Sequence, residues 1–286
     1  VRDNFYVGNF TKALSLCEQK LTSDLTQSES DAIQARCHLA LGNINELKAL
    51  QHSENPGQKA TALLAVATKT PKEQVRASAK EHLLKLAKED VTCAMLAAIV
   101  QATDGNYTEA VQTAKAHPTL EMEALCVFFC VLCNQVGMAE KMLKDMSGTN
   151  DDSVAYRLAK AAVKLATGDP EEAYLTYCDL AGQFPASQDE DGGSGSVLLQ
   201  TGKAMANMQR GMFVEAVEDL QRAVAQAPSD PDVLVNLCCC MSNLRKKEEF
   251  DQYYTKLCQA APTHPYVAKS QGISQTFTRF KASIKA

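Results

Sequence analysis

The sequence predicts an all-α protein: helix–turn–helix repeats stacked into a curved superhelical solenoid. Three observations carry that expectation. Proline dipeptides recur at a fixed interval, glycines recur just ahead of apolar helical stripes, and no stretch alternates apolar and polar residues as a strand does. The interval is the clearest ruler. Pro228 and Pro262 lie 34 residues apart, and Asp230-Pro231 and His264-Pro265 repeat that offset. Ala216 recurs at Phe250, Ala139 at Ala173 and Gly8 at Gly42, each 34 residues on.

A period of 34 residues is the tetratricopeptide period, one helix–turn–helix per unit. The clearest second helix begins after Gly211. Its apolar residues Phe213, Ala216, Val217, Leu220, Ala223 and Val224 form one stripe, spaced as an amphipathic helix requires. Glu218 and Arg222 stand four apart on the other side, a modest solvated pair. Gly211 fills the tight turn ahead of the helix, where a positive φ is easiest for glycine. Gly8-Asn9-Phe10, Gly42-Asn43-Ile44, Gly105-Asn106-Tyr107 and Gly211-Met212-Phe213 all put an apolar residue two after the glycine. Helix starts agree. Thr70-Pro71-Lys72-Glu73 and Asp169-Pro170-Glu171-Glu172 each offer a capping residue, then Pro at the first helical position, then Glu at the third. Asp230-Pro231 and His264-Pro265 place Pro in the same role. Asp104-Gly105 lies between helical patterns and reads as an interhelix turn.

These units predict one elongated α-solenoid over residues 1–286, with about eight helix pairs, each burying its apolar face against its neighbours. Two irregularities interrupt it. From Ala173 to Ala216 is 43 residues, and the surplus falls in the acidic, Gly/Ser-rich insertion 186–196, expected to be flexible. Between about 51 and 100 the period weakens, which predicts an irregular unit. A capping helix is expected over about 265–286.

Composition narrows the function. Hydrophobic residues make up 45% of the 286, charged residues 22%, and the net charge is −5. No broad basic surface follows from that balance, so nucleic acid and anionic membrane are poor partners. The most apolar stretches, Val91–Val100 and Ala124–Cys133, are half the length of a spanning helix, about 20 residues, so no direct membrane insertion is expected. The opening Val1-Arg2-Asp3-Asn4-Phe5-Tyr6 has neither the basic region nor the apolar run of a signal peptide. It also lacks Met, as a chain would after losing a short native N-terminus. Eleven cysteines among apolar helical positions suggest reduced thiols in a cytosolic protein. Trp is absent and small side chains, chiefly Ala, are heavily used, which favours close helix packing.

The sharpest chemical pattern is Cys126-x3-Cys130-x2-Cys133. Its spacing matches the iron–sulfur loop of radical S-adenosylmethionine enzymes and could supply three thiolates to zinc. It lies, however, in the apolar helix Ala124–Cys133, where the three share the face that a core stripe would occupy, and a free Cys packs as a small hydrophobe. Core packing is the expectation. Cys238-Cys239-Cys240 point in three directions on a helix and are expected in core and groove. The five histidines are scattered, without a His-x-x-x-His pair, and suit surface or capping roles. Gly192-Gly193-Ser194-Gly195 lacks the Lys-Ser/Thr ending of a phosphate loop. Asp189-Glu190-Asp191 reads as a solvated charge run. The expectation is therefore no catalytic residue, no metal and no cofactor. At the C-terminus Arg279, Lys281 and Lys285 beside Phe277 and Phe280 make a basic tip, suited to a membrane surface or a partner, though a solvated capping helix is the commoner use.

In order along the chain, several blocks match one family. Asn4-Phe-Tyr-Val-Gly-Asn-Phe10 is similar to an Asn-x-Phe-Tyr-x-Gly-x-Tyr opening. Leu158-Ala-Lys-Ala-Ala-Val-Lys-Leu-Ala-Thr-Gly168, followed by Ala173-Tyr174, is similar to a Leu-Ala-x-Ala-Trp-x-x-Leu-Ala-x-Gly stretch and its following Ala-Tyr. Thr201-Gly-Lys-Ala204, Glu215-Ala216, Leu234-Val-Asn-Leu237 and His264-Pro-Tyr266 continue the match. The chain resembles the epsilon subunit of coatomer, the COPI vesicle coat. The resemblance covers most of the chain, thinly between 15 and 100. Ala162 stands where that family usually has Trp, and the insertion 186–196 is extra.

The resemblance implies a non-enzymatic coat subunit whose superhelix binds the C-terminal region of the alpha subunit. It would act in the cytoplasm, peripherally on the cytosolic face of Golgi membranes and COPI-coated vesicles. In such repeats the first helix of each pair lines the concave face. The 34-residue register then puts Leu158, Ala162, Leu165, Thr201, Met205, Met208, Val235, Cys239 and Ser242 in the partner-binding groove, an apolar, Met-containing set suited to a buried protein segment. Two other readings compete. An adaptor or co-chaperone scaffold for peptide C-termini would need Lys, Asn and Arg at groove positions; Thr201 and Met205 stand there instead, although Asn236 is compatible. A metal or radical enzyme would rest on Cys126, Cys130 and Cys133.

Overall fold

The computed structural model describes residues 1–19, 25–70, 72–148, 150–186 and 195–285. They form seventeen α-helices and no strand. Eight antiparallel pairs follow one another: α1 (Arg2–Tyr6) with α2 (Phe10–Glu18), α3 (Gln27–Ala40) with α4 (Ile44–Ala49), α5 (Pro56–Lys69) with α6 (Glu73–Leu86), and α7 (Val91–Thr103) with α8 (Tyr107–Lys115). Then come α9 (Leu120–Leu132) with α10 (Val136–Met146), α11 (Val154–Thr167) with α12 (Pro170–Gln183), α13 (Val197–Gln209) with α14 (Phe213–Gln226), and α15 (Pro231–Asn243) with α16 (Lys247–Ala260). Helix α17 (Pro265–Lys285) closes the series. First helices begin 34 residues apart from α9 to α11, from α13 to α15 and from α15 to α17. The interval falls to 29 from α3 to α5 and from α7 to α9, where the second helices α4 and α8 are short. Residues 51–100 hold the end of a 3-10 turn (Leu50–His52), then α5, α6 and most of α7.

One turn is used within seven of the eight pairs. At its centre a residue takes a left-handed conformation, with φ between +75° and +86° at Gly8, Gly42, Gly105, Gly168 and Gly211. The next residue's N–H then reaches back to the carbonyl five residues earlier, as from Met212 to Asn207 at 2.9 Å. That bond satisfies a carbonyl which the helix end would otherwise leave open. Asn134 and Arg245 hold the same place with φ +59°, and Gln135 and Lys246 make the same bond at 2.8 and 2.9 Å.

Helix starts are capped largely as the sequence indicates. Asp230 accepts from the N–H groups of Asp232 (3.0 Å) and Val233 (3.1 Å), with Pro231 at the first helical position. The Tyr266 N–H donates to His264 Nδ1 (3.2 Å), so this histidine caps α17. Thr26 and Glu29 form a full capping box on α3. One expectation is corrected: Thr70 ends α5 instead of starting α6. Its backbone is extended, with ψ 132°, as a residue before proline is pushed to be, and α6 begins at Glu73 after Lys72. Pro71 and residues 187–194 of the acidic insertion lie outside the described residues.

The chain divides into two compact units, Val1–Thr176 and Tyr177–Ala286. In the first, Ala94, Ala97 and Ala98 of α7 are fully buried among Met95, Leu96, Met122 and Phe129, so the absence of side-chain bulk lets helices close up. In the second, α13 to α15 share a core of Leu220, Ala223, Val233, Leu237 and Met241. Full burial of each large member is worth about 1.5–3 kcal/mol. Gly202 lies inside α13 because Tyr177 crosses it: a Cβ there would stand 2.5 Å from the Tyr177 ring.

Candidate partner-binding face

In the second unit, α13 and α15 are the first helices of their pairs. Each presents three predicted groove residues at spacings of four and three, so each trio shares one helix face. On α13, Met205 is 41% exposed, while Thr201 and Met208 are half-buried. On α15, Val235 and Cys239 are half-buried and Ser242 is exposed. The other faces of both helices are core: Leu199, Ala204 and Ala206 on α13, Leu234, Leu237, Cys238 and Met241 on α15. Thr201 Oγ1 donates to the Val197 carbonyl at 2.7 Å, which leaves its methyl available for contact. Burial raises the Cys239 thiol above its ordinary pKa, so at neutral pH it is an uncharged group. All six residues are uncharged. Leu198, 44% exposed, extends the α13 stripe by one turn. It was missed, although its place three before Thr201 and seven before Met205 is legible in the sequence.

Behind this face α13 is fixed to α14 by a buried ion pair. Lys203 Nζ stands 2.9 Å from Asp219 Oδ1, with side chains 13% and 7% exposed. Asn207 Nδ2 and Arg222 Nη1 also donate to the Asp219 carboxylate, at 3.5 and 3.4 Å. Such a network sets the rotation of α13 about its axis, and with it the direction in which Met205 points.

In the first unit, α11 carries the remaining predicted residues. Leu158 is 8% exposed and packs inside, whereas Ala162 and Leu165 are half-buried. Helix α11 packs on α9 and α10 and also touches α1. Around that meeting a cavity of about 440 Å³ is lined from α1, α3, α7, α9 and α11. Arg36 Nη2 bonds Glu121 Oε1 at 2.6 Å, and its guanidinium lies 4.2 Å from the centre of the Phe5 ring. Arg2 and Glu29 pair at 2.9 Å. Burial, reinforced by the Glu121 charge, pushes the Tyr6 hydroxyl well above its ordinary pKa. This charged lining was not foreseen, because its members come from separate repeats and no spacing links them.

The cysteine pattern resolves into packing. Cys126 belongs to the core around Met95 and Phe129, and Cys130 to a different core with Ala139 and Leu143. Cys130 Sγ faces Met142 Sδ at 3.8 Å, and Cys133 Sγ faces the Cys130 carbonyl at 3.5 Å. Burial raises the Cys126 thiol to about 11, a protonated group at neutral pH and a poor ligand. Among the described residues no group of three or more His, Cys, Asp or Glu is placed to hold a metal ion. Nor is any described helix long and apolar enough to cross a membrane.

The sequence model of one protein family, the coatomer epsilon subunit, matches residues 1–285. The chain belongs to the coatomer epsilon-subunit family. Members are structural subunits of the COPI coat, not enzymes. Relatives span it almost entirely. Coatomer subunit epsilon-1 of rice (Oryza sativa subsp. japonica) is 29% identical, covering 98% of this chain and 95% of its own length. Coatomer subunit epsilon-2 of Arabidopsis thaliana is 28% identical, with 98% and 94% covered. The probable coatomer subunit epsilon of Schizosaccharomyces pombe is 25% identical, with 85% and 80% covered. Solved structures show the same fold at low identity. A Parabacteroides merdae tetratricopeptide repeat protein superposes with a TM-score of 0.57 at 16% identity, covering 85% of this chain and 97% of its own. The Cut9-Hcn1 hetero-tetramer of the APC/C gives 0.61 at 12% identity, covering 93% of this chain and 52% of that one. The all-α, tetratricopeptide-like reading of the epsilon-family sequence therefore stands on fold as well as on family.

Proposed function

We propose that this chain is the coat subunit that binds the C-terminal region of the coatomer alpha subunit, supporting Golgi-to-ER and intra-Golgi vesicle transport. It works peripherally, on the cytosolic face of Golgi membranes and COPI-coated vesicles. The observation that carries the reading is the uncharged stripe of Thr201, Met205, Met208, Val235, Cys239 and Ser242 on the first helices of a chain that matches the epsilon family over residues 1–285. A solvated helix face would be expected to carry charge. Here methionine and small side chains offer an adaptable surface for an apolar protein segment. On α11, in the first unit, Ala162 and Leu165 are likewise uncharged and half-buried.

The test is co-expression with the C-terminal third of the alpha subunit, then affinity capture and thermal melting of the free and bound chain. The expected result is a one-to-one complex that melts several degrees higher, because a partner binding only the folded state stabilises it, by about 2.7 kcal/mol at a hundred times Kd. Met205→Glu places a charge on an already exposed position, so the free chain should melt as before while capture weakens at least tenfold. Absence of a complex with the parent chain would overturn the assignment; capture undiminished by Met205→Glu would move the interface elsewhere.

A further inference from the structure

The last helix does something that a solvated cap does not require. Helix α17 is anchored by its first turn, where Tyr266 and the fully buried Val267 pack with Leu234 and Leu257. Beyond that turn every residue from Gln271 to Lys281 is exposed. Three of them are large and apolar: Ile273, Phe277 and Phe280 are 71%, 67% and 61% exposed, three of the four most exposed large hydrophobics described. Their spacing of four and then three residues puts all three on one stripe. Charge on this segment is of one sign. Residues 265–286 contain Lys269, Arg279, Lys281 and Lys285 and neither Asp nor Glu, in a chain whose net charge is −5.

We infer that the distal half of α17 is a ligand helix, which inserts Ile273, Phe277 and Phe280 into an apolar groove of a protein partner rimmed by carboxylates. An apolar triad at i, i+4 and i+7 is the anchor pattern by which an amphipathic helix fills a groove. Lys269, four before Ile273, and Lys281, four after Phe277, are the cations at neighbouring helical positions; they select an acidic rim and would steer the encounter. An anionic bilayer is the weaker fit. The described stripe spans about two turns of helix, and the net negative charge of the rest of the chain opposes adsorption to a negative surface. A second copy of α17 fits worse, since it would set cation against cation. The inference rests on the chain's place in a coat assembly and not on where the alpha subunit binds.

The experiment places a photoreactive residue in the full-length chain within the assembled coat, by Phe277→p-benzoylphenylalanine, with Gln271→p-benzoylphenylalanine as the control. The expected result is a protein adduct from position 277, not from 271, mapped to an apolar segment flanked by Asp or Glu. Phe277→Ser with Phe280→Ser should then lower affinity for that mapped partner at least tenfold without moving the melting temperature of the free chain. An adduct on lipid, on a second copy of this chain or on a segment without carboxylates would overturn the inference. So would no adduct at all, or unchanged affinity in the double variant. Alpha-subunit capture that survives any of those results would leave the coat reading standing and remove only this one.

Discussion

Helix pairs α11–α12 and α13–α14 use one idea at two depths. Lys160 and Lys203 occupy the same register, each six residues after the first residue of its helix, and each meets an acid on the second helix of its pair. Lys160 bonds Glu172 at 2.6 Å, with both side chains about a third exposed. Lys203 bonds Asp219, one turn further along the second helix, with both side chains nearly buried. The first pair is solvated and shares its acid with Lys164, which also reaches Asp169 at 3.1 Å. The second lies largely out of reach of solvent, with Asn207 and Arg222 adding bonds to its carboxylate. Chemistry is the same in both; the energetics are set by depth. Removing one partner of a buried pair strands a charge, whereas an exposed pair is already balanced by solvent.

The largest effect should therefore come from Asp219→Ala, which leaves Lys203 buried without a counter-charge and costs about 3–5 kcal/mol. Urea unfolding measures it. Lys203→Met with Asp219→Leu should recover most of the loss, because two apolar groups of similar size need no partner. If the single change costs no more than its counterpart at Glu172, depth is not the deciding variable and the comparison breaks.

A second test lies on the same helix. Gly202→Ala should destabilise by about 1–3 kcal/mol, since the added methyl meets the Tyr177 ring and a packed core resists the displacement. The α11 residue at the same register, Ala159, is already an alanine and fully buried, so of these two helices α13 alone carries the constraint. Unfolding in urea should show a lower midpoint with an unchanged slope; an unchanged midpoint would mean that the ring moves aside freely.

The third test asks where the two pairs agree. Gly168 and Gly211 close the same turn with φ +82° and +78°, and a Cβ at either would meet nothing within 4 Å. The only cost of Gly168→Ala or Gly211→Ala is the left-handed backbone itself, about 1–2 kcal/mol, and it should be equal at the two sites. Unequal losses in a calorimetric melt would show that the turns differ in more than their backbone.

These turns also show what the sequence could and could not disclose. Gly211 and its counterparts were readable because glycine is the residue a positive φ selects, and the 34-residue ruler followed from them and from the prolines. Asn134 was readable in principle, as asparagine tolerates that conformation. Arg245 was not: nothing in an arginine announces a turn, and only the packing of α15 against α16 imposes it. The proposed stripe of Thr201, Met205 and Met208 followed from the 34-residue register together with the expectation that first helices line a groove. The depth of Asp219 was not, because a charged residue in a helical pattern reads by default as solvated. The Arg36–Glu121 pair was out of reach for another reason, since its 85-residue separation is fixed only by how α3 and α9 come together.

The smallest effect, and the one that tests the solvated side of the comparison, is the pH dependence carried by Glu172. Hydrogen bonds from Lys160 and Lys164 hold its carboxyl below the ordinary range in the folded chain, and in the unfolded chain those partners are gone. A depressed folded pKa means that the unfolded state takes up the proton first as pH falls. The stabilisation is therefore fully present above the unfolded carboxyl value, near 4.3, and is lost as the pH drops through the lower folded value. Glu172→Gln should lower stability by less than about 1 kcal/mol at pH 7, the scale of a pair with a third of each side chain in water. The difference between parent and variant should shrink steadily in melts taken from pH 5 downward. A difference that stays constant to pH 3 would mean that Glu172 acts through packing instead of charge, and the contrast with Asp219 would then be one of shape as well as depth.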